Sequence, residues 1–238
     1  MASDEVWKSS ALTKTYLEGV RGAIPLAGEQ IEVMLRLLGA GGHPVRRVVD
    51  LGCGDGVLAA AILDRWPEAD ITLVDFSRPM LEAAQKRFAV SKARVRFLLT
   101  DYAAPDGLNA VRDAAPFDAV VSGYSIHHQP DTRKRELYRE IFGLLRSGGL
   151  FVNLEHVAPA SAWVESVHDT LFVDSLSRAQ PHLARQEVEE SYRGRPDKDA
   201  NILATVEVQC TWLREIGFTD VDCYLKVFEL AVFGGRRP

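Results

Sequence analysis

The sequence predicts an α/β protein built on a doubly wound sheet of seven strands, mostly parallel with an antiparallel last strand. Helices precede the sheet, and a helical segment is inserted before a closing hairpin. Three observations carry that expectation. From residue 45 to residue 156, short apolar runs alternate with amphipathic stretches, the rhythm of strands joined by crossover helices. Several of those runs are almost continuously apolar, as strands are when helices cover both faces of a sheet. Two further runs crowd residues 221–233 with too little chain between them for a crossover, so they must pair antiparallel.

The elements follow in order. Residues 3–20 read as a loose helix carrying Val6, Trp7, Leu12, Tyr16 and Leu17. A firmer helix spans 29–38, where Ile31, Met34, Leu35 and Leu38 fall on one face, and the glycines at 39, 41 and 42 with Pro44 stop it. Strands are expected at 45–51, 71–74, 95–99, 117–122 and 150–154. Between them lie helices at 57–66, ended by Pro67, and at 79–88, with Ser77 as N-cap. Two more follow, a short one at 108–114 and one at 132–145 capped by Asp131 and closed at Gly148 and Gly149. The rhythm then breaks. Residues 157–198 hold helical pieces with Trp163, Val167, Leu171, Phe172 and Leu176, and 199–217 form one more helix ending at Gly217.

Composition narrows the function classes. The chain has 238 residues, 47% of them apolar, which excludes wholesale disorder. A formal net charge of −5 argues against broad binding to nucleic acid or to an anionic membrane surface. No run reaches the ~20 apolar residues of a membrane span, and the first residues lack a signal-peptide pattern. Cys53, Cys210 and Cys223 are too few and too scattered for a disulfide framework, which points to a reducing cytoplasm. No His, Cys or Asp spacing suggests a metal.

The most informative segment is Asp50-Leu51-Gly52-Cys53-Gly54-Asp55-Gly56, where the first strand turns into the first crossover helix. Glycines let the backbone approach a ligand, and the helix N-terminus behind them offers free N–H groups. The dinucleotide fingerprint would need its third glycine at 57, which is Val57, and this disfavours an NAD-linked oxidoreductase. Asp50 is placed to orient the turn or a ligand amine. Asp75 ends the second strand at the distance where an acid binds the hydroxyls of a ribose; the plainer reading makes it a cap for the next helix. Asp101, just past the third strand, can accept from an adenine amine while Tyr102 or Ala103 borders the ring; the plainer reading is a solvated loop acid. Open parallel sheets bind ligands at these strand ends.

These motifs, together with 117–122 and Leu145-Arg146-Ser147-Gly148-Gly149-Leu150, resemble in order and register the class I S-adenosylmethionine-dependent methyltransferases over residues 45–156. The resemblance implies a Rossmann-like fold and S-adenosylmethionine as methyl donor, with S-adenosylhomocysteine as its product. It implies Gly52, Cys53 and Gly54 against the methionine part, with Asp50 near its amino group. Asp75 would hold the ribose, Phe76 would lie beside the adenine and Asp101 would face its amine. Ser122 and Gly123 would line the donor. One methyltransferase domain is expected, with residues 1–44 as a helical cover and 45–156 as the cofactor-binding core. Residues 157–198 would be the insertion, and 199–238 the last helix and hairpin.

A second likeness, through Arg21-Gly22-Ala23-Ile24-Pro25 and residues 212–218, is to bacterial relatives of the wobble-uridine carboxymethyl-transferring enzyme. Arg21 pairs with the donor carboxylate or sits on the surface. Leu26 and Ala27 stand where that family has a tyrosine, and Trp212 where it has a carboxylate-binding arginine, so ordinary S-adenosylmethionine is favoured over a carboxylated donor.

Methyl transfer from a sulfonium is an in-line displacement in which positioning does much of the work, and a base is needed only for an acceptor that keeps its proton. The candidates are Tyr124, His127 and His128 after the fourth strand, and Glu155 with His156 after the fifth; the plainer reading has His127-His128 capping a turn and Glu155 and His156 bonded to the inserted segment. His168 is read as surface or packing, and Arg133-Lys134-Arg135 as a solvated helix face. Trp7, Tyr16, Trp163 and Phe172 are expected in a mobile cover over the acceptor pocket, or else in a dimer surface. The leading reading is transfer to a small-molecule acceptor. The alternatives are an RNA methyltransferase, a carboxymethyl-type enzyme and a non-catalytic cofactor-binding protein.

Overall fold

The computed structural model describes residues 23–195 and 198–238. Its centre is one seven-stranded sheet of β1 (Arg47–Leu51), β2 (Asp70–Asp75), β3 (Arg94–Leu99), β4 (Phe117–Gly123), β5 (Leu145–His156), β6 (Thr219–Val227) and β7 (Leu230–Arg236). The order is β3-β2-β1-β4-β5-β7-β6. Strands β1 to β5 run parallel, and β7 runs antiparallel between β5 and β6. The expected reversed last strand is therefore present, and it is interior to the sheet.

The apolar runs are explained by two cores, one on each face. Alternate residues feed them in the two-residue period of a strand. Val49 and Leu51 of β1, Val120 of β4 and Phe151 of β5 enter the first core. Helix α5 (Asp131–Leu144) supplies Leu137, Tyr138 and Ile141 to it, and α8 (Val206–Ile216) supplies Cys210 and Leu213. Val48, Ala119, Val121 and Val152 enter the second core, with residues of α1 (Ala27–Ala40), α2 (Val57–Arg65) and α3 (Arg78–Phe88). The short α4 (Asn109–Arg112) leads to β4. The insertion forms α6 (Ala162–Ala179) and α7 (Arg185–Arg193), which share a small core of Val173, Leu176, Val188 and Tyr192.

Most expected elements are present within one or two residues, and Ser77 caps α3 by accepting from the Met80 N–H at 3.5 Å. Three expectations are corrected. Asp131 is the first residue of α5 and Pro130 its cap, because the Asp131 carboxylate is taken by Lys134 Nζ at 2.9 Å. Gly148 and Gly149 do not end that helix. They lie inside β5, where the register against β4 slips between Phe117 and Ala119. The last helix starts at Val206, under a Thr205 cap, and not at 199. The residues before it are extended because their backbone is spent elsewhere: Ile202 N–H donates to the His127 carbonyl at 3.0 Å, and the Ala204 carbonyl accepts from Ala158. No helix among the described residues is long and apolar enough to cross a membrane.

Where β7 passes β5, Gly234 leaves no room for a side chain. A Cβ there would collide with the Phe151 carbonyl oxygen and stand 3.2 Å from Val152 Cα, both fixed backbone. We expect Gly234→Ala to lower stability by about 1–3 kcal/mol or more, the usual effect of overpacking a core. A fall in the urea midpoint at unchanged slope checks this, and an unchanged midpoint contradicts it.

Candidate active site

The turn after β1 is tied to the end of β2 by backbone bonds. The Val74 carbonyl accepts from Gly52 N–H at 2.8 Å and from Cys53 N–H at 3.0 Å. Gly54 N–H donates to Asp75 Oδ2 at 2.8 Å, and Ser77 N–H to Asp75 Oδ1 at 2.8 Å. Following the tie requires left-handed backbone at Gly52, Gly54 and Gly56, with φ of 69°, 55° and 79°. A Cβ on Gly52 would also collide with Ser125 Oγ in the loop after β4. Asp50 lies buried beneath the turn and accepts from the Ala59 N–H at 3.2 Å, within the first turn of α2. Cys53 is buried, and burial, then the charges of Asp75 and Asp50, push its thiol well up.

Asp75 is 6% exposed. Burial raises its carboxyl to about 6, against the pull of its backbone donors. Backbone donors at Gly54, Ser77 and Phe76 reach this carboxylate, which has room for about four bonds. Phe76 is half-buried beside it, and Asp101 is exposed, with Oδ1 accepting from Ala103 N–H at 2.8 Å. Tyr102 turns inward, where its hydroxyl donates to the Ser125 carbonyl at 2.9 Å. Ser122 is buried between strands and donates to the Leu51 carbonyl at 2.7 Å, while Gly123 packs against Leu58. Arg21, Trp7 and Tyr16 lie outside the described residues.

The ends of β4 and β5 bring the other candidates together. His127 Nδ1 and Glu155 Oε1 are 2.6 Å apart, with both side chains buried. Glu155 also accepts from the His156 N–H at 2.9 Å and from Asn153 Nδ2 at 3.4 Å. Burial raises Glu155 to about 7. Burial, then the neighbouring His156 and Lys134, hold His127 well below the ordinary histidine range. The two share one short bond, so they titrate as a unit. With the carboxyl ionised, His127 donates through Nδ1 and leaves Nε2 as the basic atom. His128 stacks on His127 at 4.0 Å between ring centroids and lies 3.2 Å through Nδ1 from the Ala200 carbonyl.

Several participants were misread or missed. Lys134, expected in solvent, is buried and donates to Asp131 and to the Ile202 carbonyl. Arg133 donates to the Tyr102 carbonyl and to Glu140. Trp163 is 73% exposed on α6, whereas His168, read as surface or packing, is buried. Gln30 accepts from the Tyr124 hydroxyl at 2.5 Å, joining α1 to the residue after β4. Glu229, in the β6–β7 turn, meets His156 Nε2 at 2.7 Å. The position of His156 at a strand end was a readable signal, but no local pattern marks Gln30 or Glu229.

A sheet in this order with a reversed β7, a glycine turn after β1 and acids ending the next strands define the class I S-adenosylmethionine-dependent methyltransferase fold. Residues 48–149 match the methyltransferase domain family, and the chain is similar in sequence and fold to class I S-adenosylmethionine-dependent methyltransferases. It is 40% identical over 113 residues to an uncharacterized methyltransferase of Mycobacterium tuberculosis, covering 48% of this chain and 52% of that one. The match thus spans about half the length of that curated relative. A ubiquinone/menaquinone biosynthesis C-methyltransferase of Desulfotalea psychrophila is 28% identical over 195 residues, covering 82% of this chain and 74% of its own. Human N-acetylserotonin methyltransferase, solved with S-adenosylmethionine, superposes with a TM-score of 0.65 at 14% identity, over 99% of this chain and 59% of that one. At that identity the likeness is one of fold.

Two buried carboxyls should remain protonated well above the ordinary carboxylate range. Infrared difference spectra should show a protonated-carboxyl band that persists at pH 6 and fades as the pH rises past about 7. Asp75→Asn and Glu155→Gln should each remove one component. A band already absent at pH 6 contradicts the assignment.

Proposed function

We propose that the protein transfers a methyl group from S-adenosylmethionine to a small-molecule acceptor, with the His127–Glu155 pair as the base where the acceptor holds a proton. When bound, the sulfonium donor supplies an electrophilic methyl group. The observation that carries the reading is a buried imidazole–carboxylate pair at the ends of β4 and β5, on the same edge of the sheet as the glycine turn.

The residues present suit that donor. Asp75 is an anion held in a poorly solvated place, and ribose hydroxyls would supply the donors its remaining lone pairs lack. Gly52 and Gly54 leave the turn without side chains, so backbone can lie against the methionine portion, and the exposed Asp101 would face the adenine amine. Asp50 is already engaged with α2 and acts by holding the turn against the helix. His127 takes the acceptor proton at Nε2, while Glu155 fixes the tautomer through Nδ1 and balances the imidazolium that forms. His128 and Asn153 position this pair. Burial of both groups favours an acceptor small enough to enter the fold, and the net charge of −5 weighs against a polyanionic one.

The deciding experiment is a labelled-methyl transfer assay on extracts split into RNA, protein and metabolite fractions. Label should enter the metabolite fraction; label confined to RNA would overturn the small-molecule reading. With an acceptor identified, the rate should rise with pH through about 7, as the pair loses its shared proton. His127→Gln should lower kcat by roughly 10²–10⁴, the usual worth of a positioned base. An unchanged kcat would leave the reaction to positioning alone.

Asp75→Asn should weaken S-adenosylhomocysteine binding by about 1–3 kcal/mol. The sign of the pH effect follows from the carboxyl. Hydroxyl donors favour its charged form, so binding lowers its pKa from about 6 and releases a proton. Affinity should therefore be flat above pH 7 and fall below 6. Calorimetry in two buffers of different ionisation enthalpy measures the released proton, and proton uptake on binding would contradict the ribose assignment.

A further inference from the structure

Beside the catalytic pair lies a second cluster that the proposed methyl transfer does not use. His156 ends β5, His168 lies on α6 and Glu229 occupies the turn between β6 and β7. One side-chain donor atom from each lies within 4.8 Å of the other two. The His156 and His168 rings are stacked at 5.7 Å between centroids, and His156 Nε2 meets Glu229 Oε2 at 2.7 Å.

Two buried atoms here have no hydrogen-bond partner among the described residues. They are His168 Nδ1, on a side chain 2% exposed, and Glu229 Oε1, on one 3% exposed. Polar atoms buried in this way are seldom left unsatisfied. Burial also holds His168 below the ordinary histidine range. Glu229 and Asp169 face His168, as does the guanidinium of Arg195, and Arg193 lies 3.7 Å from the Asp169 carboxylate.

We propose that His156, His168 and Glu229 form a binding site for a divalent transition-metal ion of the zinc type. Two imidazoles and one carboxylate are a donor set that such ions favour over magnesium or calcium, which prefer all-oxygen sites. Tetrahedral coordination at about 2.0–2.1 Å would draw the three donors together by small side-chain rotations. Three protein ligands leave a further position for water or for one oxygen of a small ligand. The Val157 N–H donates to the Glu229 carbonyl at 2.8 Å, which pins the β6–β7 turn that carries the carboxylate. The site stands apart from the methyl-transfer reading, because it requires neither a donor nor an acceptor to bind.

The test is a zinc titration of the chelator-treated full chain followed by calorimetry, repeated with His168→Ala and Glu229→Gln. One equivalent should bind to the parent, and each variant should weaken that binding by about tenfold or more. The exposed His182→Ala should bind like the parent. Circular dichroism confirms that the variants are folded. The absorption spectrum of the cobalt-loaded parent reads the donor set without any substitution, and it should show nitrogen and oxygen ligation. Absent binding, parent-like affinity in both variants, or a thiolate-to-cobalt band would overturn the proposal, the last because it assigns the metal to cysteine.

Discussion

The carboxyl edge of the sheet depends on one tie, the seam between the turn after β1 and the end of β2. Three successive N–H groups of that turn, from Gly52, Cys53 and Gly54, close on the Val74 carbonyl and the Asp75 carboxylate. The seam uses backbone donors that the helix N-terminus behind it cannot pair, and it forces the left-handed conformations that only glycine adopts without strain. It fixes where α2 begins, and through Asp50 and Ala59 it fixes how that helix leans on β1. The loop after β4 then lies across Gly52, because no side chain opposes Ser125 there. Strands β2 and β4 flank β1 on opposite sides, so this is also the point where the winding of the sheet reverses and leaves a crevice.

A row of rings continues from that crevice into the insertion. His128, His127, His156, His168, Phe172 and Tyr192 follow one another at centroid distances of 4.0, 5.7, 5.7, 5.8 and 5.2 Å. Burial there holds His127 and His168 below the ordinary histidine range. The same burial raises Glu155, bonded to His127, to about 7, while Glu229 meets His156 and Lys134 lies buried nearby. This mutual constraint separates the ionisation of Glu155 and His127 from that of free side chains. The insertion belongs to the electrostatics of the site as well as to its walls, since His168 and Tyr192 come from it.

The fold was legible in the sequence because its signals are local. Alternating runs, the glycine turn and Ser77 each act within a few residues, and all are present in the structure. Element ends were less legible where a distant partner decides them. Asp131 has the chemistry of a cap but is claimed by Lys134, and residues 201–205 stay extended because the strand ends take their backbone groups. The candidate site divides in the same way. Asp75 and the glycines stand in an ordered motif, whereas the joining of His156 to His168 and Glu229 depends on three elements separated in the chain. Lys134 was misread because a run of three basic residues on a helix is ordinarily solvated, and here the chain at 202 folds over it.

The placement of β7 has a consequence for biosynthesis. Strand β5 pairs with β4 on one side, but its other side waits for Leu230–Arg236, which follow the entire insertion, α8 and β6. During vectorial synthesis at about 5–20 residues per second, the nascent chain carries an open, strongly apolar strand edge for several seconds. That edge invites pairing with another chain. The late strand seals the sheet from the inside, so a ribosome that stalls within the insertion would release a species disposed to aggregate, and chaperone demand should peak at that stage of translation.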